Sequence, residues 1–373
     1  MMKKILFLLL FVAAFMACSD DDDNNQDFLP GNHINMIVVN EGAFTTGSAA
    51  LSVIYDDGST KLDLFQDVNG RPLGDVAQSI TYIKGNYFVA LNGSKKVEVV
   101  EPQTFNSVAS IVFNDDVKPR FIQPISETEA IVSDQNKQLI RINIKDYTVV
   151  EYIDITETGV MQIEKMLTIG NKLFCAALGK GIGVFDTDNI KGSSMRLIDG
   201  LEGSIMQTAK LILDKNNKLW VLTTGNDKVI LNCINPETEK VEKTVDVPYV
   251  KEGDEAYVDG CITGTAWFTR MDTDRTKGKL YFYMNILSEG NSAFGAIFTM
   301  NVDTYEVELY RKLPGLGMMY GMGISPDGDV YLCDCLDWSK QRGFLREYKE
   351  NGSIVSQRVG IYPRMILFTE YDK

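Results

Sequence analysis

The sequence has few of the residues on which most hydrolases and metalloenzymes depend. Its 373 residues include a single histidine, His33. Because Ser-His-Asp and Cys-His catalysis and most zinc sites need histidine, one copy argues against these classes of enzyme. The chain also lacks a GxSxG motif, a P-loop and a CxxC pair. Aspartate is plentiful, so a glycosidase-type carboxylate pair stays open, but no pattern singles one out.

Cysteine is scarce as well. Cys18 lies in the N-terminal segment described below, which leaves five others, an odd number that cannot all pair within one chain. Only Cys333 and Cys335 are close in sequence. We therefore expect most of these cysteines to be small buried hydrophobic residues.

Positive charge is also in deficit. Residues 1–17 hold two of the 37 basic residues and none of the 51 acidic ones, so the remainder carries a formal net charge of −16. Nucleic-acid binding depends on a basic face, so this balance argues against a nucleic-acid partner. It also predicts repulsion from anionic lipid surfaces, so the body would not bind a membrane by charge.

The N-terminal segment reads MMKKILFLLLFVAAFMACSDDDDNN. Two lysines precede an apolar run from Ile5 to Ala17, which is too short to span a bilayer and is typical of a secretory signal. The FMAC stretch resembles a bacterial lipobox, and SDDDDNN is similar to acidic signals that send some lipoproteins to the cell surface. We therefore predict a signal peptide over 1–17, a lipid on Cys18 and a flexible tether over 18–32. An ordinary signal peptide with an acidic spacer is the alternative.

The rest of the chain shows no sustained helical periodicity. Short runs rich in Val, Ile, Tyr, Phe and Leu alternate with turn residues, which favours an all-β fold. A unit of apolar run, polar turn and second apolar run recurs seven times. Its turns begin near Asp56, Glu101, Lys145, Asp186, Asn235, Asn301 and Lys349, at spacings of 45, 44, 41, 49, 66 and 48 residues. This period matches the four-stranded blades of a seven-bladed β-propeller.

Six units are preceded by two further β-like runs, which supply strands A and B of a four-stranded antiparallel blade. The first unit begins at INMIVVNEG, which aligns with strand B, so its strand A is missing. The C-terminal stretch PRMILFTEY has no partner of its own. We therefore predict that it closes the first blade in a three-plus-one arrangement, because an open ring would leave two unpaired edges. The propeller would span 33–373 as one domain.

The longest interval, before the sixth hairpin, contains about 20 extra residues. They fall in VPYVKEGDEAYVDGCITG before strand A of the sixth blade and in MDTDRTKGK between its strands A and B. In propellers the D-to-A and B-to-C loops emerge on one face around the channel mouth. The first of these inserts lies in a D-to-A connection, so its extra residues indicate a functional face, with a neutral insertion as the alternative.

The predicted B-to-C loops carry many amide and carboxylate side chains, which could together bind a large polar ligand. Aromatic residues near them, Tyr362 included, would add flat apolar contacts. Turn formation and packing between blades are the alternatives for these residues. The candidate ligand-binding residues are Asn40, Phe44, Asn92, Asp134, Gln135, Asn226, Tyr257, Asp259, Asn285, Tyr320, Asp334 and Trp338. No catalytic residue, metal ligand or required cofactor is predicted.

The stretch NEGAF…AALSVIYDDGS, together with the lipobox and the hairpin repeats, resembles the YncE/YVTN-type propeller lipoproteins of Gram-negative gut bacteria. Some of these are encoded beside vitamin B12 importers, capture cobalamin and cap the outer-membrane transporter. The resemblance therefore implies a surface-exposed outer-membrane lipoprotein. It would bind cobalamin or another corrinoid and pass it to a TonB-dependent transporter.

Three classes of function stay open on the sequence. The first is this non-enzymatic capture of a small-molecule nutrient by a protein that is monomeric on its own and held at the membrane only by its lipid. The second is a carbohydrate-binding or carbohydrate-cleaving propeller. The third is a scaffold that binds another protein of the cell envelope.

Overall fold

Seven antiparallel sheets form a ring in the computed structural model. The structure describes residues 33–207, 209–250, 261–263, 270–288, 293–313, 316–349 and 351–369. The predicted signal peptide, lipidation site and tether therefore lie outside the described residues. Among these residues the helical segments are α1 (Leu64–Asn69) and two 3-10 turns, Thr156–Thr158 and Gly192–Ser194. Within the described part, no helix has the length and apolar composition needed to cross a membrane.

The first four blades contain the following strands. Blade 1 holds β1 (Ile34–Asn40), β2 (Ala50–Tyr55) and β3 (Thr60–Lys61). Blade 2 holds β4 (Ala77–Ile83), β5 (Asn86–Leu91), β6 (Lys96–Val100) and β7 (Ser107–Val112). Blade 3 holds β8 (Pro119–Pro124), β9 (Glu129–Asp134), β10 (Gln138–Asn143) and β11 (Thr148–Asp154). Blade 4 holds β12 (Ile163–Ile169), β13 (Lys172–Ala177), β14 (Gly181–Asp186) and β15 (Arg196–Leu197).

The remaining strands complete the ring. Blade 5 holds β16 (Leu211–Leu213), β17 (Leu219–Thr224), β18 (Lys228–Asn235) and β19 (Lys240–Pro248). Blade 6 holds β20 (Cys261–Thr263), β21 (Arg270–Thr273), β22 (Lys279–Ser288), β23 (Ala293–Asn301) and β24 (Val307–Leu313). Blade 7 holds β25 (Met319–Ile324), β26 (Val330–Asp334), β27 (Arg342–Tyr348) and β28 (Ile354–Ile361). The last strand, β29 (Pro363–Phe368), joins blade 1.

The predicted three-plus-one closure is confirmed. Strand β29 pairs antiparallel with β1, with Ile366 opposite Val38, and blade 1 has the order β29-β1-β2-β3. Val38 and Ile366 then pack with Cys333 and Leu345 of blade 7. Burial of this apolar surface holds the two ends of the chain together. Clusters of buried hydrophobic residues also fill the other six interfaces between neighbouring blades.

Four of the turns between the outer two strands share one backbone structure. The side-chain oxygen of Asn143, Asn235 or Asn301 accepts hydrogen bonds from the amides two and three residues later, and a Glu does the same in blade 2. The fifth residue of each turn is left-handed although it is not glycine; these residues are Phe105, Tyr147, Glu239 and Tyr305. Because the side-chain oxygen at the first position accepts these hydrogen bonds, the turns of the repeat begin with polar residues.

Blade 6 differs from the prediction in its inner strand. Met271 was placed in an insertion between strands A and B, but it lies in β21, so this connection is only the turn over 274–278. Both β20 and β21 pair with the ten-residue strand β22, one beyond the other. The inner position of blade 6 is therefore shared by two segments. The other predicted insertion, before strand A, is described only in part, because residues 251–260 lie outside the described residues.

Candidate functional site

A cavity of about 620 Å³ opens at the channel mouth. The side chains around it come from B-to-C connections, from D-to-A connections and from the first residues of inner strands, as the repeat predicts. They are Glu41, Arg120, Met161, Leu178, Ile205, Met206, Gln207, Arg270, Tyr320, Trp338 and Arg364. Six of the seven blades contribute, so the cavity depends on the closed ring.

Tyr320 and Trp338 form one wall, and the Tyr362 ring packs against both of them. Trp338 lies 5.7 Å from Tyr320 in an edge-on contact and 5.9 Å from Tyr362, measured between ring centroids. The Tyr362 hydroxyl donates to the carbonyl oxygen of Trp338 at 2.6 Å. Although it is fixed in this way, Trp338 is 63% exposed. An exposed indole held by neighbouring rings can make flat apolar contact with a ligand at little entropic cost.

The opposite wall, from blades 4 and 5, is aliphatic. It contains Met161, Leu178, Ile205 and Met206, and Met161 is 61% exposed. Methionine side chains are flexible and polarisable, so this wall can adapt to ligand shape. The cavity therefore has a rigid aromatic side and an adaptable aliphatic side.

Paired charges lie between these walls. Arg364 forms an ion pair with Glu41, which also accepts a hydrogen bond from the Tyr320 hydroxyl at 2.8 Å. Burial and the nearby Glu41 raise the pKa of Tyr320, so its hydroxyl stays a donor. Arg120 forms a forked contact with the fully buried Glu164, with Nη2 at 2.9 and 2.8 Å from its two oxygens. Bidentate pairs of this kind fix the guanidinium plane.

Arg270 completes the polar part of the cavity. Its Nη2 donates to the carbonyl oxygen of Tyr320 at 3.0 Å, which connects blade 6 to the aromatic wall. Burial and the nearby Arg364 lower the pKa of Arg270 to about 10, so it remains a cation at neutral pH. A ligand at the mouth would therefore meet guanidinium donors below and apolar walls on both sides.

The predicted site residues separate into four groups. Tyr320 and Trp338 line the cavity. Phe44, Gln135 and Asn226 are exposed but do not line it. Tyr257 and Asp259 lie outside the described residues; Asn285 belongs to β22, and its side chain also lies outside what the structure describes. Ligand contact by these residues stays a prediction.

The other predicted residues are buried and bind their own loops. Asp334 accepts from the amides of Gly317 and Met318 and from Arg346, and Asp134 accepts from the amide of Lys118 at 2.6 Å. Burial raises the pKa of Asp134, against the hydrogen bonds it accepts. Asn40 is fully buried and donates to Ser52 Oγ at 2.9 Å, and Asn92 donates to Gln135 at 3.4 Å. These side chains position the connections around the mouth.

The arginines and the two methionines of the cavity were not predicted from the sequence. A signal existed for two of them, because Pro119-Arg120 and Pro363-Arg364 both open an inner strand. Within the described ranges, no three His, Cys, Asp or Glu side chains are grouped so that they could hold a metal ion.

The solved structures with this fold carry diverse functions. A quinoprotein alcohol dehydrogenase-like protein from Bacteroides thetaiotaomicron is 15% identical, with a TM-score of 0.62 over 90% of this chain and 79% of that one. Kuenenia stuttgartiensis hydrazine synthase is 13% identical (TM-score 0.53, 72% of this chain and 75% of that chain). A chain of the mitotic checkpoint complex is 10% identical (TM-score 0.54, 95% and 99%). At these identities the likeness establishes the propeller fold alone, which fits a binding or scaffold role.

Comparison with curated proteins gave no match. Residues 35–329 match the model of a family described as a domain of unknown function, DUF5074. This range extends from the first strand of blade 1 to the turn between the first two strands of blade 7, so the chain belongs to the DUF5074 family.

Proposed function

We propose that this protein is a non-enzymatic binding protein that captures a nutrient at the channel mouth, with cobalamin or a related corrinoid as its ligand. The observation that supports this is the cavity itself, in which guanidinium donors lie between an aromatic and a methionine-containing wall. A corrinoid has a broad macrocycle with apolar faces, amide groups around its edge and, in cobalamin, a phosphodiester. Each part of the cavity matches one of these chemical features.

Different residues of the cavity would contact different parts of the ligand. Trp338 and Tyr320 would contact one apolar part of the ligand, and Met161 and Met206 another. Arg270 would donate to amide carbonyl oxygens or to the phosphodiester. Two ion pairs, Arg120 with Glu164 and Arg364 with Glu41, would form a rigid polar floor of the cavity between the two walls. Because these ion pairs exist within the protein, little ordering would be needed on binding.

The proposal includes the cellular setting predicted from residues 1–32. A lipid on Cys18 would tether the propeller to the outer surface of the outer membrane, where it would pass its ligand to a TonB-dependent transporter. The acidic body supports this arrangement, because the tether and not charge attraction would hold the protein at the membrane.

Isothermal titration calorimetry tests the proposal. The mature chain carrying Cys18→Ser, which cannot be lipidated, would be titrated with cyanocobalamin. We expect one-to-one binding that Arg270→Gln weakens at least tenfold, whereas Lys240→Gln, on the outer strand β19, leaves it unchanged. No binding by a protein that melts cooperatively would refute the corrinoid assignment.

A carbohydrate ligand is the second candidate, and the exposed Trp338 beside Tyr362 supports it, because sugars stack on such rings. Titration with a panel of soluble glycans, together with a reducing-sugar assay, separates this candidate from the first. A scaffold role would be favoured instead if a partner protein copurifies and neither ligand class binds.

A further inference from the structure

The central channel continues below the mouth into a second cavity of about 260 Å³. It is lined by inner strands of blades 2 to 7 and by β29 of blade 1, so it is enclosed by the ring. Four basic side chains line it, Lys165, Lys210, Arg270 and Arg364, against one carboxylate, Asp272. In a chain with a net charge of −14, this is a local reversal of sign.

The ion pairs described in this cavity do not include Lys165. Lys210 pairs with Asp272, and Arg364 pairs with Glu41. Among the residues the structure describes, no carboxylate forms an ion pair with Lys165, whose ammonium lies 5.6 Å from the centroid of the Phe121 ring. A half-buried ammonium without a counter-charge is unfavourable, so it either loses its proton or binds an anion.

We propose that this lower cavity, defined by Lys165, Lys210, Arg270 and Gln78, is a binding site for a small, doubly charged oxyanion of the phosphate class. The anion would lie between the Lys165 ammonium and the Arg270 guanidinium. This site is distinct from the corrinoid cavity in its ligand, although Arg270 borders both.

A buried polar atom supports the assignment independently. Gln78, on β4, is 2% exposed and lines the same cavity, and its Oε1 has no hydrogen-bond partner in the described part of the protein. A buried acceptor without a donor is costly. The hydroxyl group of monohydrogen phosphate would supply that donor, while its charged oxygens accept from the cations.

The ionisation of Lys165 responds to the same surroundings. Burial lowers its pKa to about 7; the charges of Lys210, Arg270 and Arg364 act in the same direction, and Asp272 acts against them. Phe121 of the neighbouring inner strand β8 adds no charge, and Glu164, adjacent in sequence, is paired with Arg120. A bound oxyanion would stabilise the ammonium, so anion binding and protonation of Lys165 would be coupled.

The experiment is calorimetry of the Cys18→Ser chain with inorganic phosphate and, separately, with sulfate, in a buffer without other oxyanions. We expect one bound phosphate per chain, with sulfate binding more weakly because it offers no hydroxyl to Gln78. Lys165→Met should weaken phosphate at least tenfold at pH 6.5, and Lys240→Met on the outer strand β19 should not. Equal affinity for phosphate in the wild type and Lys165→Met, or no binding of either anion, would overturn the proposal.

Two further measurements keep the test independent of folding and of the corrinoid. Sulfate does not titrate near neutrality, so its affinity should fall several-fold from pH 6 to pH 8 in the wild type but stay level in Lys165→Arg, which also retains binding. A parallel fall in both proteins would contradict the role of Lys165. Trp338→Ala should leave phosphate binding unchanged, so failure of the corrinoid proposal and failure of this one give different results.

Discussion

The hydroxyl of Tyr320 donates a hydrogen bond to Glu41 Oε2 at 2.8 Å, although the two residues are 279 positions apart in the chain. Glu41 follows the first strand of blade 1, and Tyr320 lies in the inner strand of blade 7. The same carboxylate pairs with Arg364 on the closing strand β29. The bond therefore couples ring closure to the floor of the mouth cavity.

Tyr320→Phe tests this coupling. Removing the hydroxyl deletes one hydrogen bond to a charged group, so we expect the free energy of unfolding to fall by about 1 to 2 kcal/mol. Ligand affinity at the mouth should fall several-fold as well, because Glu41 and Arg364 lose a fixed neighbour. Denaturant unfolding and calorimetry measure the two effects. Tyr305→Phe, in an outer turn, is the matched control and should change neither.

Trp338 and Phe44 are both exposed aromatic residues in B-to-C connections, at 63% and 71%, but only Trp338 lines the cavity. We expect Trp338→Ala to weaken binding of the mouth ligand at least tenfold, because stacking on the indole is lost. Phe44→Ala should leave affinity unchanged. Both variants should keep the wild-type melting temperature within a few degrees, since neither ring is in a core. Equal losses of affinity in the two variants would instead place the ligand across the whole face.

The fold could be predicted because its signals are local and repeated. Polar turns recur every 41 to 49 residues, apart from one interval of 66, and the missing strand of the first unit leaves only one segment, β29, to complete it. The split inner strand of blade 6 was not predicted, because Arg270–Thr273 carries charge at alternate positions and lacks the apolar run expected of an inner strand.

The candidate site was less predictable for a physical reason. Inner-strand charges such as Lys165 and Arg270 point into a polar channel, and in the sequence they resemble solvent-facing charges on an outer strand. The Asn and Asp residues after strand B were predicted to bind the ligand, but the oxygens of Asp134 and Asp334 accept hydrogen bonds from backbone amides. The inner-strand charges and the buried carboxylates can be told apart only from their positions in the closed ring.

The closing strand should account for much of the stability. Phe368 is 6% exposed and packs edge-on against Tyr331 of blade 7, with ring centroids 5.5 Å apart. We expect Phe368→Ala to lower the free energy of unfolding by about 3 to 5 kcal/mol, because it leaves a void between the first and last blades. Val355→Ala, at a position 40% exposed on the outer strand β28, should cost less than about 0.5 kcal/mol. Denaturation followed by circular dichroism measures both free energies of unfolding. A loss in Phe368→Ala as small as that in Val355→Ala would show that closure by β29 is not critical.

Asp63 caps the N-terminus of α1, accepting from the amide of Gln66 at 3.1 Å. Burial, followed by the nearby charge of Asp67, raises its pKa to about 6, against the opposing effects of the Gln66 amide and Arg342. An acid with a raised folded-state pKa destabilises the fold once it must ionise. Stability should therefore fall as pH rises from about 4, where the unfolded chain releases this proton, to about 6, where the folded chain does.

Asp63→Asn removes this titration and retains an oxygen to cap the helix. We expect the variant to unfold like the wild type near pH 4 and to be more stable by roughly 1 kcal/mol at pH 7.5, a value reduced for the partial exposure of the side chain. Melting temperatures measured across this range give the difference at each pH. Asp188→Asn, at an exposed position between β14 and β15, should show no such trend. A gap between Asp63→Asn and the wild type that is constant with pH would assign the effect to helix capping, because only ionisation of Asp63 makes it grow as protons are released.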